Sequence, residues 1–190
     1  VVAGNLVSDN NARDTPEQAD GGFGIGIGIA GGQHNALLRN RVSGNSRAGI
    51  VLSSYEDVPP LGNRLEHNTL SDNAVDIPYQ RSPRSPGQGN CLRGNTLHRT
   101  LPEDLPRTAR CPGGNSRSSA PAPRTRTAPP PAGIAFLDVT PPPARPQLPH
   151  ARTAPATPAL HLPGDVHPDR VPLPAPDLLA ARPRHGATGR

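Results

Sequence analysis

Asparagine recurs on a fixed beat in this chain. In GNRLEHNTLSDN, residues 62 to 73, Asn63, Asn68 and Asn73 stand five residues apart, with Leu65 and Leu70 each two residues after an asparagine. A helix repeats its faces every ~3.6 residues and a strand every two, so a period of five does not describe one amphipathic element. The columns return without a gap in NALLRNRVSGN (35–45) and NCLRGNTLHRT (90–100), at steps of 28 and 27 residues. They align Asn35, Asn63 and Asn90, then Leu37, Leu65 and Leu92, then Asn40, Asn68 and Asn95, then Val42, Leu70 and Leu97, and finally Asn45, Asn73 and Thr100.

The opening NLVSDN supplies an earlier copy, with Asn5, Val7 and Asn10 in the last three columns and Val2 in the leucine column. Its distance of 35 residues to the next copy implies an insertion within NARDTPEQADGG. A second apolar segment follows each copy: Ile25, Ile27 and Ile29 alternating with glycine in GFGIGIGIAGG, then AGIVL at 48–52 and AVDIPY at 74–79. Short apolar pieces separated by polar turn residues predict coils of short strands that bury their apolar sides only by stacking on neighbours. Column mates then lie above one another at ~4.8 Å per coil, leucine inside and asparagine at the corners. Asparagine is expected at those corners because it tolerates a left-handed backbone and its amide can both donate to and accept from the next coil. The expected ladder is Asn5, Asn10, Asn35, Asn40, Asn45, Asn63, Asn68, Asn73, Asn90 and Asn95.

The columns N-x-[LV]-x-x-N-x-[VL]-x-x-N resemble the repeats of right-handed parallel β-helix proteins, the pectate-lyase-like solenoids. The resemblance covers residues 1–111, about four coils, and implies an all-β right-handed parallel β-helix. That fold hosts polysaccharide lyases, glycoside hydrolases and proteins without chemistry, so function has to be argued from a site. The chain opens inside the pattern and contains no methionine, which leads to the expectation that further coils precede it.

Residues 112–190 follow another regime. They hold 19 of the 27 prolines and carry nine arginines against four acids, whereas residues 1–111 balance 11 against 11. A disordered or extended tail is expected there, with one apolar island, GIAFLDV at 133–139. Every basic residue is arginine, scattered and with only 2% aromatic residues for base stacking, so nucleic acid is not an expected partner. No apolar run approaches the ~20 residues that cross a bilayer as a helix.

Candidate chemistry is sparse. By resemblance, a lyase would use calcium held by several aspartates and a basic residue, and a hydrolase close carboxylate pairs. Asp9 and Asp72 share a column, but Gly44 stands between them and Arg99 follows, which reads as a solvated turn position. Glu56 and Asp57 lie in SSYEDVPP beside Tyr55, with Asp76 and Tyr79 one coil later, and these five are the candidate ligand contacts. His34 and His67 fall in different columns and no transition-metal spacing occurs, so no metal or other cofactor is expected, with calcium entering only under the lyase reading. GFGIGIG lacks a following capped helix and reads as a strand packed close against a loop or an inserted segment rather than a phosphate loop.

Cys91 and Cys111 bracket the point where the repeat fails. They are either two free thiols or a terminal staple, and their position at the end of a solenoid favours the staple, which places the chain in an oxidising compartment, secreted or at the cell surface. The leading expectation is a secreted, non-catalytic C-terminal part of a carbohydrate-active or cell-surface protein, with polysaccharide as its partner. A polysaccharide lyase or glycoside hydrolase acting on acidic polysaccharide, and a purely structural or adhesive module, are the alternatives. Whether the chain is an enzyme is left open at this level.

Overall fold

The computed structural model describes residues 1–13, 22–112, 117–118, 131–141, 167 and 170–180. Within them the chain makes thirteen short strands. They are β1 (Val2–Ala3), β2 (Leu6–Ser8), β3 (Ile25–Ala30), β4 (Ala36–Leu38), β5 (Arg41–Ser43), β6 (Ala48–Ser53), β7 (Arg64–Glu66), β8 (Thr69–Ser71), β9 (Ile77–Gln80), β10 (Cys91–Arg93), β11 (Thr96–Leu97), β12 (Thr100–Leu101) and β13 (Arg117–Ser118). One helical turn, α1 (Leu105–Thr108), follows β12.

Every third strand pairs with the one a coil away, which builds three parallel sheets: β1-β4-β7-β10, β2-β5-β8-β11-β13 and β3-β6-β9-β12. The chain is therefore a parallel β-solenoid of four three-strand coils. The register matches the sequence columns: Val2 pairs Leu37, Leu37 pairs Leu65 and Leu65 pairs Leu92, while Val7 pairs Val42 and Val42 pairs Leu70. Ile27 pairs Ile50 in the third sheet. These columns converge on one core of Ile29, Leu37, Val42, Ile50, Leu52, Leu65, Leu70, Ile77, Leu92, Leu97 and Leu105. Leu105 on α1 closes the core beyond the fourth coil, and the chain then returns so that Arg110 pairs Leu92 as a further rung.

The corners depart from expectation in one respect. All ten ladder asparagines are preceded by a left-handed residue, namely Gly4, Asp9, His34, Arg39, Gly44, Gly62, His67, Asp72, Gly89 and Gly94, with φ between 51° and 68°. The asparagines themselves do not take the left-handed backbone. With the bend made one residue earlier, the asparagine's own N–H and its Nδ2 point together along the stack. Asn40 N and Nδ2 both donate to Asn68 Oδ1 at 3.0 Å, and Asn68 N and Nδ2 donate to Asn95 Oδ1 at 2.9 and 3.0 Å. Asn35, Asn63 and Asn90 form a second ladder of the same kind, and Asn10, Asn45 and Asn73 a third. The remaining Nδ2 proton of an inner rung reaches a backbone carbonyl, as from Asn68 to Leu37 at 2.9 Å, so a buried amide is left with no unmade bond.

The third corner ends early. Thr100 pairs with Ile77 and so belongs to the isoleucine column, not to the asparagine column where the gap-free alignment places it. The fourth coil has only His98 and Arg99 between its Leu97 and Thr100, whereas the third has six residues between Leu70 and Ile77. Arg99 accordingly does not continue the Asp9, Gly44 and Asp72 position. The glycine-rich β3 is a strand as expected; just before it a Cβ on Gly24 would meet the loop between β5 and β6, with Ser46 Oγ at 2.5 Å, while within it a Cβ on Gly26 would meet Val42 Cγ1 at 2.5 Å and Gly49 O at 2.6 Å.

The cysteine staple is present. Cys91 and Cys111 are bonded with Cα atoms 4.8 Å apart, and Cys111 N donates to Leu92 O at 3.1 Å. The insertion expected near residues 11–22 falls mostly on 14–21, outside the described residues. So does most of the tail expectation over 112–190. Of its described parts, Arg117–Ser118 continue the second sheet past residue 111.

Candidate functional site

Coils two and three each carry an extra loop between the third and first sheets. Tyr55–Val58 and Ser82–Ser85 form small antiparallel bridges 27 residues apart. The loops stack, since Ser85 Oγ donates to Glu56 O at 2.9 Å, Ser54 Oγ donates to Ser85 O at 2.6 Å, and Ser82 N donates to Ser54 Oγ at 3.1 Å. Their backbone is thus bound between coils with the buried Ser85 hydroxyl, while Tyr55, Glu56, Asp57 and Arg84 face solvent. Tyr55 is 60% exposed, Glu56 sits at a left-handed corner with φ 51°, and Asp57 pairs with Arg84 at 3.1 Å. An ion pair between two solvated side chains contributes little to stability.

Asp76 is not part of this group. Register places Asp76 beside Gly49, six residues before Tyr55 on the third sheet, a separation of roughly 20 Å along the strand direction. It is 1% exposed, and its carboxylate is fully engaged: Oδ1 accepts from Asn73 Nδ2 at 3.0 Å, and Oδ2 accepts the backbone N–H groups of His98 at 2.6 Å and Arg99 at 3.2 Å. Asp76 ends the third ladder. Where the fourth coil is too short to supply an asparagine, a carboxylate can accept from Asn73 and from two turn amides at once, which an amide oxygen facing a donor NH₂ could not do.

Glu66 has a comparable duty. It is 3% exposed on the outer side of β7 and bonds Arg93 at 2.7 Å, with Arg64 at 3.5 Å. Nothing in the column pattern singles it out, although Leu38, Glu66 and Arg93 occupy one position in successive coils.

Tyr79 lies elsewhere, on a cleft of about 170 Å³ at the closing end of the solenoid. One wall is coil three, with Tyr79, Arg81, Gly87, Gln88, Gly89 and Asn90, and the other is the closing segment with Pro102, Leu105, Thr108 and Ala109. The cleft follows from the shortened fourth coil. β12 has two residues where β6 has six, so the chain leaves for α1 and, among the described residues, no fourth loop fills the space. Tyr79 OH receives Asn90 Nδ2 at 3.0 Å and donates to Pro86 O at 3.1 Å, which holds its ring in place. Arg81 lies over that ring, 5.2 Å from its centroid, exposed and with no carboxylate partner among the described residues. A cation held on an aromatic face at the mouth of a small polar cleft suits an anionic group.

The structure therefore brings Tyr55, Glu56 and Asp57 onto one exposed turn, puts Asp76 in the frame of the solenoid, and places Tyr79 on a separate cleft with Arg81. The asparagine columns do not point to Arg81. SSYEDVPPLGN at 53–63 and QRSPRSPGQGN at 80–90 align without a gap, and that alignment is the signal that marks both loops as one repeated element. Among the described residues, no group of three His, Cys, Asp or Glu converges as metal ligands, and no helix is long and apolar enough to cross a membrane. No family model, curated protein or solved structure compared with the chain matches it.

Proposed function

We propose that this chain is a non-catalytic parallel β-helix module of a secreted carbohydrate-active or cell-surface protein, of the right-handed pectate-lyase-like kind, which holds polysaccharide rather than cutting it. The observation that carries the reading is the commitment of its two buried carboxylates, Glu66 and Asp76. Glycoside hydrolysis needs two carboxyl groups ~5 to 9.5 Å apart and free to exchange protons. Asp76 is bound by three donors and Glu66 by an arginine, both within the frame of the fold. Glu56 and Asp57 lie on a solvated turn far along the sheet from Asp76. The Tyr79–Arg81 cleft is the contact we assign to the polysaccharide, one carboxylated sugar unit meeting the guanidinium. The disulfide supports an oxidising compartment and hence secretion or the cell surface.

The test is a glycan array probed with the full chain, with and without calcium, alongside a product assay on the same polysaccharides. The reading expects calcium-independent binding to acidic glycans, lost in Arg81→Ala, without new chain ends. Polysaccharide cleavage abolished by Glu56→Gln or Asp57→Asn would overturn it in favour of the lyase or hydrolase reading. Absence of glycan binding would leave a structural or adhesive module.

A further inference from the structure

At the corner glycines Gly44, Gly62 and Gly94, the space a Cβ would fill is taken by a side chain of the coil before it, Asp9, His34 and His67, whereas Gly89 stacks on another glycine and meets only the Gly62 backbone. A Cβ on Gly62 would meet His34 Nδ1 at 2.7 Å, and one on Gly94 would meet His67 Nδ1 at 2.5 Å. Gly4 belongs to the same column as Gly94, at the first coil, and its space is also taken: the atom there is Cγ1 of Val171, with Pro172 O at 3.3 Å. A residue from near the C-terminus of the chain thus sits where a preceding coil would put its corner side chain.

The contact is not confined to one atom. Arg41, on β5 of the second coil, donates from Nε to Pro174 O at 2.9 Å. Leu38, whose carbonyl receives the Gly4 N–H at 3.1 Å, is 4% exposed although it alternates with the inward Leu37, so this corner has an apolar floor. Within Val171-Pro172-Leu173-Pro174, Pro174 is buried and Val171 half-buried, while Pro172 and Leu173 face solvent. Contacts at positions i and i+3 match the three-residue turn of polyproline II. A proline-rich stretch in that conformation makes no internal hydrogen bonds, and here the Pro174 carbonyl accepts from Arg41.

From this geometry we infer that the corner formed by Gly4, Leu38 and Arg41 is a recognition site for an extended proline-rich segment carrying an apolar residue and a proline three positions apart, and that residues 171–174 occupy it in cis. The site takes such a segment from a second source when the chain's own is withdrawn. Glycine at position 4 gives the apolar residue its seat, and Arg41 reads the carbonyl of the proline. A segment tethered in the same chain outcompetes the same segment free in solution, so the wild-type chain masks its own site.

The test uses the full chain and a fluorescein-labelled peptide of residues 167–180. Val171→Asp in the chain withdraws the cis segment, and this variant is expected to bind the peptide at least tenfold more tightly than wild type. A peptide carrying the same substitution is expected to bind neither. Trypsin provides a second readout at the Arg170–Val171 bond, which is expected to be protected in wild type and cut at least tenfold faster in Arg41→Gln. Equal peptide binding by wild type and Val171→Asp, or no binding by a Val171→Asp chain that keeps the wild-type circular dichroism and unfolding midpoint, overturns the proposal. So does an Arg170 site that is cut equally fast in wild type and Arg41→Gln.

Discussion

Replacing Asn68 by alanine should be among the most damaging single changes in the solenoid, although it removes no apolar contact. Asn68 is 1% exposed and is the third of four rungs. Its amide accepts from Asn40 N and Nδ2 and donates to Asn95 Oδ1 and Leu37 O, four bonds of 2.9 to 3.0 Å that alanine cannot make. Only the backbone bond from Asn68 N to Asn95 Oδ1 survives. At about 1 kcal/mol net per bond, with the Asn40 N–H now buried and unpaired, the loss is about 4 to 5 kcal/mol. That is a large share of the ~5–15 kcal/mol stability of a domain. Asn5, the exposed first rung of the same ladder, is the internal control. Its alanine variant loses two side-chain bonds at a partly solvated site, while Asn5 N still reaches Asn40 Oδ1, and should cost about 1 kcal/mol or less. Urea unfolding followed by circular dichroism compares the two, with the slope checked for constancy so that the midpoint shift reports stability. Equal costs for Asn68→Ala and Asn5→Ala would refute the reasoning, because they would show that the amides are solvated and not stacked.

Other expectations follow from single contacts. Reducing the Cys91–Cys111 bond, or the Cys111→Ser variant, should cost about 3 kcal/mol for a closed loop of this length, read as a lower urea midpoint under reductant. Gly62→Ala should cost about 1 to 2 kcal/mol, because residue 62 has φ 60° and the new methyl meets the His34 ring. The steric share should be recovered in the His34→Gly, Gly62→Ala double variant, a coupling of about 0.5 kcal/mol or more in a double-mutant cycle. Asp76→Ala should be worse than Asp57→Ala by about 2 kcal/mol or more, since it strands the His98 and Arg99 amides at a buried corner whereas Asp57 loses only a solvated ion pair.

The stacking is legible in the sequence because a solenoid writes its register directly into the chain. Residues that pair across coils sit at a near-constant spacing, so Leu37, Leu65 and Leu92 align from their positions alone. The left-handed position carries no such mark, because it is shared by Gly, His, Arg and Asp, residue types with no common chemistry beyond tolerance of the turn. Asp76 resembles a ligand candidate in the sequence since its role exists only through a deletion in the next coil, and the gap-free alignment that sets Thr100 under Asn73 conceals that deletion. Tyr79 stands out as an aromatic residue, but Arg81, which gives its cleft a charge, does not, because the loop repeat at 53–63 and 80–90 contains no asparagine until its last residue. The seat of Val171 on Gly4 leaves no periodic trace at all, being one contact between distant parts of the chain.

The central claim is that the asparagines are structural rungs and not ligands for a substrate. Amide hydrogen exchange at Asn40, Asn63 and Asn68 tests it most directly, because each N–H donates to the Oδ1 of the next rung and not to a strand neighbour. The account predicts that these three amides exchange only through global unfolding, as slowly as Leu65, and that added glycan leaves their rates unchanged. Exchange at the rate of the solvated Glu56 turn, or protection that appears only when glycan is added, would contradict it.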